Sequence, residues 1–257
     1  MKSKDLQIRS LIEYIKLCMP YRRLPNTDQA RIRTLKAAVD SCVQDGIYTN
    51  VLKHNTYATA KNMLERFERE VEVYKRCVNE QSSKRRNEKY EAAFRNARMY
   101  VTHFLQVLSM SVMRGEIVRA KRAYYGLNPD DDSLPTITLE SSVLEWSRKI
   151  SDGESKRQGE GGIPIYNPTM GRVSVACDLF RQMYDKQQQL GRNTADALSR
   201  VAALREECDG IIQSVWQEVE EKFSSLDGAE KIEKCAQYGI IYYTRPDRKK
   251  KIEKDNE

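Results

Sequence analysis

The sequence predicts an all-α protein: two antiparallel helical bundles joined by an ordered connector, with a short strand-like segment near the C terminus. Three observations predict it. Apolar residues recur at alternating steps of three and four in Tyr57, Ala60, Leu64, Phe67, Val71, Tyr74 and Val78, and again in Tyr90, Phe94, Ala97, Val101, Phe104 and Leu108. That spacing gathers each set on one stripe of a helix and leaves the other faces polar, so each stripe has to bury itself against another helix. A third pattern of the same kind runs Leu198, Val201, Leu204, Cys208, Ile211, Val215 and Val219.

Composition agrees. At 257 residues, 40% apolar and 32% charged, the chain can bury one large core or two modest ones, and it is too apolar and too patterned to be disordered.

The elements follow in order. Residues 4–18 form a first helix, with Ile8, Leu11, Ile15 and Cys18 on one face. Pro20 and Pro25 bracket the next loop, and the side-chain oxygen of Thr27 or Asp28 can cap a second helix whose stripe is Ile32, Leu35, Val39 and Cys42. Gly46 stops it. Asn55 or Thr56 opens the third helix, which loses its period near Asn79, and the polar stretch 80–87 is the turn into a fourth helix ending before Gly115. Short connections predict an antiparallel four-helix bundle over residues 1–115.

Residues 116–167 hold eight glycines and prolines, including Gly126, Pro129, Gly153, Gly161 and Pro164. One short helix interrupts the segment at about 139–152, capped by Thr138. Tyr124, Tyr125, Leu127 and Trp146 are too apolar for a free linker, which makes the segment an ordered connector.

Asn167-Pro168 reads as a capping side chain with proline at the first helical position. The C-terminal bundle then covers 168–244. One helix carries Val173, Cys177, Phe180 and Tyr184 and ends at Gly191. Another starts at Asn193-Thr194, and a short third runs from about Gly228 to Gln237 with Gly239 as its stop. Asn55-Thr56 and Asn193-Thr194 give a faint internal echo of two related helical units. Ile240 to Thr244 is the strand-like run, and 245–257 is a charged tail.

The same residues narrow the chemistry. No apolar run approaches the ~20 residues that span a bilayer. The stretch from Leu11 to Met19 is broken by Glu13 and Lys16 and lacks a small-residue cleavage site, so no signal peptide and no membrane partner are expected, and the location expected is cytoplasmic. The six cysteines include no C-x-x-C pair; Cys42, Cys177 and Cys208 fall on helix stripes as buried reduced thiols.

The only histidines are His54 and His103, and neither belongs to a Glu-x-x-His motif or to zinc spacing, so neither metal nor cofactor is expected. His103, beside Phe104, reads as a packed or hydrogen-bonded histidine rather than a ligand. Asn128 to Asp132 alternates oxygens as calcium loops do, but Ser133 stands where glycine is needed and Leu139 where glutamate is; a polar turn is the better reading. Gly159-Glu160-Gly161-Gly162, after Lys156 and Arg157, lacks the ending of a phosphate loop and reads as a turn. No nucleophile elbow or activated Cys–His pair appears, and no catalytic residue is expected.

Two basic patches remain. Arg119, Lys121 and Arg122 adjoin Tyr124 and Tyr125, and Arg245, Arg248, Lys249, Lys250 and Lys251 follow Tyr242 and Tyr243. Cations beside aromatic rings suit phosphates and bases, so these residues are the candidate contacts for nucleic acid or a protein partner. Against that, the net charge of +7 comes from 44 basic and 37 acidic residues, mostly interleaved as in a solvated helix face.

Four strings look familiar together: residues 97–108 (Ala-Arg-Met-Tyr-Val-Thr-His-Phe-Leu-Gln-Val-Leu), Tyr125-Gly126-Leu127, residues 161–168 (Gly-Gly-Ile-Pro-Ile-Tyr-Asn-Pro) and residues 238–243 (Tyr-Gly-Ile-Ile-Tyr-Tyr). They resemble a family of bacterial all-helical proteins of unknown function. The resemblance implies the fold and brings no activity, cofactor or catalytic residue. The function expected is a non-catalytic helical scaffold or protein-interaction module, whose partner docks on the connector or on the open edge of the 240–244 strand. The alternative is a nucleic-acid-binding protein using the basic tail and the connector patch.

Overall fold

A computed structural model describes residues 21–44 and 51–243. The expected helix at 4–18, the stop at Gly46 and the tail cations Arg245, Arg248, Lys249, Lys250 and Lys251 lie outside them. The fold is all-α. In chain order it comprises β1 (Tyr21–Arg22), α1 (Asp28–Gln44), α2 (His54–Gln81), α3 (Lys84–Met113), a 3-10 helix (Arg119–Tyr125), α4 (Glu140–Gly159), α5 (Met170–Lys222), α6 (Gly228–Gln237) and β2 (Tyr242–Tyr243). The strands pair antiparallel, Tyr21 opposite Tyr243 and Arg22 opposite Tyr242, so β1 already occupies one edge of the expected strand.

Contacts divide the chain into two compact units, but not at residues 115 and 168. Among the described residues, unit 1 comprises 21–44, 51–75 and 196–243, and unit 2 comprises 76–195. The expected boundaries treat each bundle as one continuous stretch and 116–167 as a bridge. Instead, the apolar residues of that stretch (Tyr125, Leu127, Ile137, Val143, Ile150 and Ile165) share one core with Ala97, Val101, Phe104 and Leu108 of α3 and with Val173, Cys177 and Phe180 of α5. The connector is the middle of a unit. Phe180 gathers the rings of Tyr90, Phe94 and Tyr184 at centroid distances of 5.7, 5.4 and 6.1 Å. Burying side chains of this size contributes about 1.5–3 kcal/mol each.

Unit 1 is built on Leu35 and Val39 of α1, Phe67 and Val71 of α2, Val201, Cys208 and Val215 of α5, Cys235 of α6, and Tyr238 just after α6. Two forked ion pairs tie α1 to α5. Arg31 donates to both oxygens of Asp209 at 2.8 Å, and Arg205 donates to both oxygens of Asp28 at 2.9 and 2.8 Å. Such two-pronged geometry fixes orientation as well as contributing energy.

Several helix ends differ from expectation, each for a local reason. α5 does not stop at Gly191. Thr194 donates back to the Leu190 carbonyl at 2.9 Å and Gln189 to Asn193 Oδ1 at 2.8 Å, so the expected capping pair bonds inside a continuous helix, and the echo of Asn55-Thr56 goes with it. α5 also begins later than Asn167-Pro168. Thr169 caps it, its carbonyl accepting from Arg172 and Val173 at 3.0 and 3.2 Å. α4 runs through Gly153 to Gly159 rather than ending at 152, and Leu139, not Thr138, holds the capping position. A Cβ at Gly153 would lie 2.6 Å from the Tyr125 ring, so glycine is what lets that ring rest on the helix backbone. The turn expected at 80–87 shrinks to Ser82 and Ser83, between the end of α2 and the start of α3.

Candidate functional site

The expected connector patch is where unit 2 becomes chemically distinctive, though not as an open basic surface. Arg122 and Tyr125 are fully buried. The Arg122 guanidinium donates to the carbonyls of Asn128, Asp131 and Ser133 at 3.0, 2.7 and 3.3 Å and to Ser109 Oγ at 3.3 Å. It therefore fills the centre of the loop that resembled a calcium site. Asn128 and Asp131 turn their side-chain oxygens onto the amides of Asp130 and Ser133, each at 2.9 Å, as Asx-turns do.

Arg119 is held outside, against the Pro129 carbonyl and Asp132. Lys121 pairs with Glu160, whose carboxylate also accepts the Tyr124 hydroxyl at 2.8 Å. That hydrogen-bonded lysine, with the Tyr124 hydroxyl, holds the Glu160 carboxyl below the usual range. Lys156 lies 4.1 Å from the Tyr124 ring centre. Of the five expected contacts, two are thus interior and the others are engaged with neighbouring groups, which leaves little of the patch for phosphates. The five tail cations lie outside the described residues.

Behind the patch lies a buried group that the sequence reading left out. The Tyr125 hydroxyl donates to Glu154 Oε2 at 2.5 Å and accepts from Arg157 Nε at 2.8 Å. Arg157 Nη2 reaches both Glu154 oxygens at 2.8 and 2.9 Å. Glu154 Oε1 also accepts the Gln158 amide and the Ile165 N–H at 2.9 and 3.0 Å. Burial pushes the Glu154 carboxyl up, but these hydrogen bonds outweigh it and hold the group below its ordinary value. Burial, seconded by the bond to Glu154, raises the Tyr125 phenol. A signal did exist: Glu154 and Arg157 stand three apart on one helix, a spacing that pairs charges.

Arg157 also reaches a surface. It lines a cleft of about 650 Å³ together with Ile117, Val118 and the loop 160–167, a volume within the ~300–1,000 Å³ typical of binding sites. Its Nε and Nη2 are held by Tyr125 and Glu154, whereas Nη1 has no hydrogen-bond partner among the described residues. That nitrogen sits at the loop, 2.9 Å from where a Cβ on Gly162 would be.

The loop itself is set by the end of α4. Gly161, at φ +83°, donates to the Gln158 carbonyl at 2.9 Å, and Gly162 donates to the Arg157 carbonyl at 3.0 Å. This glycine-terminated cap consumes the amides that an anion would need. The chain then leaves in extended form, with Ile163 85% and Tyr166 88% exposed on either side of the buried Ile165.

Other expectations fall elsewhere. His103 is exposed rather than packed. Among the described residues, no group of three or more His, Cys, Asp or Glu is placed to hold a metal ion, and no helix is long and apolar enough to cross a membrane. No disulfide links the described cysteines, of which Cys177, Cys208 and Cys235 are buried.

Fold and cleft define an all-α protein with an open, partly apolar cleft in unit 2. No family profile, curated protein or solved structure matches the chain.

Proposed function

We propose that the protein is a non-catalytic interaction module whose unit 2 cleft receives an extended, uncharged segment of a protein partner. The observation that carries the reading is the pairing of a buried arginine, one nitrogen of which is uncommitted, with a loop that exposes Ile163 and Tyr166. Two large side chains exposed within four residues, beside Val118 at 67% exposure, form an apolar patch of the kind that partners cover. Arg157 Nη1 suits a backbone carbonyl of the incoming chain. Its own charge is balanced by Glu154, and the cleft cations Arg114 and Lys121 are balanced by Glu116 and Glu160, so a neutral peptide fits better than an anion. The reading places the protein in the cytoplasm, where reduced thiols such as the buried cysteines persist, and it takes the likeness to bacterial all-helical proteins as a likeness of fold.

The test is a random-peptide display panned against the whole chain, counter-selected on an Ile163→Ser/Tyr166→Ser variant. Enrichment of apolar sequences by the native chain alone supports the reading. Identical enrichment by both chains, or none by either, overturns it.

A further inference from the structure

Unit 1 has a second cleft, of about 640 Å³, walled by the segment after β1, the first turns of α1, Trp216 of α5 and the strand β2. Its charge is one-sided: among the described residues, Arg23 and Arg33 line it and no aspartate or glutamate does. Both arginines are exposed. Neither makes an ion pair with a described residue, whereas their neighbours Arg22 and Arg31 hold Glu220 and Asp209 at 2.7 and 2.8 Å.

A second observation points to a missing acceptor. Trp216 is 2% exposed, and its indole N–H is buried without a hydrogen-bond partner among the described residues. A buried donor left unpaired carries its full desolvation penalty, so an oxygen that reaches it gains more than an ordinary surface contact would give. Around these donors Leu24, Ile241 and Tyr243 are exposed apolar surface. The first turn of α1 adds the positive end of a helix dipole to the same wall.

We infer that this cleft binds an acidic segment of a polypeptide, with its carboxylates between Arg23 and Arg33, one oxygen accepting from Trp216 Nε1, and its apolar side chains on Leu24 and Ile241. A nucleic-acid strand fits less well. The Trp216 ring is too buried to stack a base, and two cations neutralise only a short run of phosphates. This site is independent of the unit 2 cleft.

The chain has two tryptophans, so a 15N-labelled sample of the full protein gives two indole signals, with Trp146 of unit 2 as the internal control. The probes are acetyl-Leu-Glu-Leu-Glu-Leu-amide, the same peptide with Gln for Glu, and a short oligothymidylate. The expected result is a saturable shift of the Trp216 signal with the Glu peptide alone, weakened about tenfold or more in an Arg23→Gln/Arg33→Gln chain of unchanged circular dichroism. Equal shifts from the Gln peptide, a Trp216 shift from the oligothymidylate alone, retained affinity in the double variant, or a silent Trp216 with every probe would each overturn the inference.

Discussion

The phenol of Tyr125 and the carboxylate of Glu154 meet at 2.5 Å although 29 residues separate them, and Arg157 closes the group by donating to both. The contact fixes the 3-10 helix on α4 and holds in place the arginine that looks into the unit 2 cleft.

Acid weakens this arrangement in a defined direction. The folded-state carboxyl of Glu154 lies below its unfolded value of about 4.3. Its contribution is therefore fully present above that pH and is lost as pH falls through the lower folded value. Glu154→Gln leaves Arg157 buried without its counter-charge and is expected to cost about 3–5 kcal/mol at neutral pH. Urea midpoints measured from about pH 6 down to about pH 3 should fall more steeply for the native chain than for the variant. Parallel slopes would show that Glu154 does not carry the acid sensitivity.

Arg122 and Arg119 make a sharper contrast, because the sequence presents them alike. Arg122→Met abandons three carbonyls in the interior and is expected to destabilise by about 2–4 kcal/mol. Arg119→Met, at a half-exposed side chain, should stay within about 0.5 kcal/mol of the native chain. Thermal melts of the two variants decide it; equal shifts would contradict the buried placement of Arg122.

These two arginines also show where the sequence is legible and where it is not. The centres of the periodic stripes are legible: Leu64, Phe67 and Val71, or Ala97, Val101, Phe104 and Leu108, are all buried, although Leu198 at the start of the third stripe is exposed. A helix stripe is a local property, read within a few turns. Lys-Arg-Ala-Tyr-Tyr looks like a surface patch because nothing within it announces partners at Ser133, Glu154 and Arg157. Burial there is decided by contacts distant in sequence, and so is the division into units, since α2 and α5 each contribute to both. The false stop at Gly191 has another cause. Turn-forming residues lower helix propensity without forbidding a helix, and apolar side chains on both sides of them, Leu190 and Ala197, are buried.

Gly191 consequently offers a stabilising change. An added Cβ there would meet nothing nearer than Gln81 Nε2 at 3.8 Å, and at Gly210 it would meet nothing within 4 Å. Each Gly→Ala substitution should gain up to about 1 kcal/mol, a rise of roughly 2–4 °C in Tm. A fall at Gly191 would argue for a broken helix there.

Thiol chemistry should separate the cysteines. Burial pushes the Cys177 and Cys208 thiols up to about 11 and about 12, and raises Cys235 as well, so thiolate is scarce at all three near neutral pH. Cys77 is only half-buried. Timed alkylation followed by peptide mapping is expected to label Cys77 well before those three; early labelling of Cys208 would contradict the core of unit 1.

The most direct measurement is calorimetric titration of a peptide selected on the native chain into that chain and into the Ile163→Ser/Tyr166→Ser variant. The proposed docking cleft predicts a Kd at least about tenfold weaker for the variant, from lost apolar contact, with an unchanged thermal melt because both side chains are exposed. An unchanged Kd would contradict it and move the partner's contact away from the cleft around Arg157.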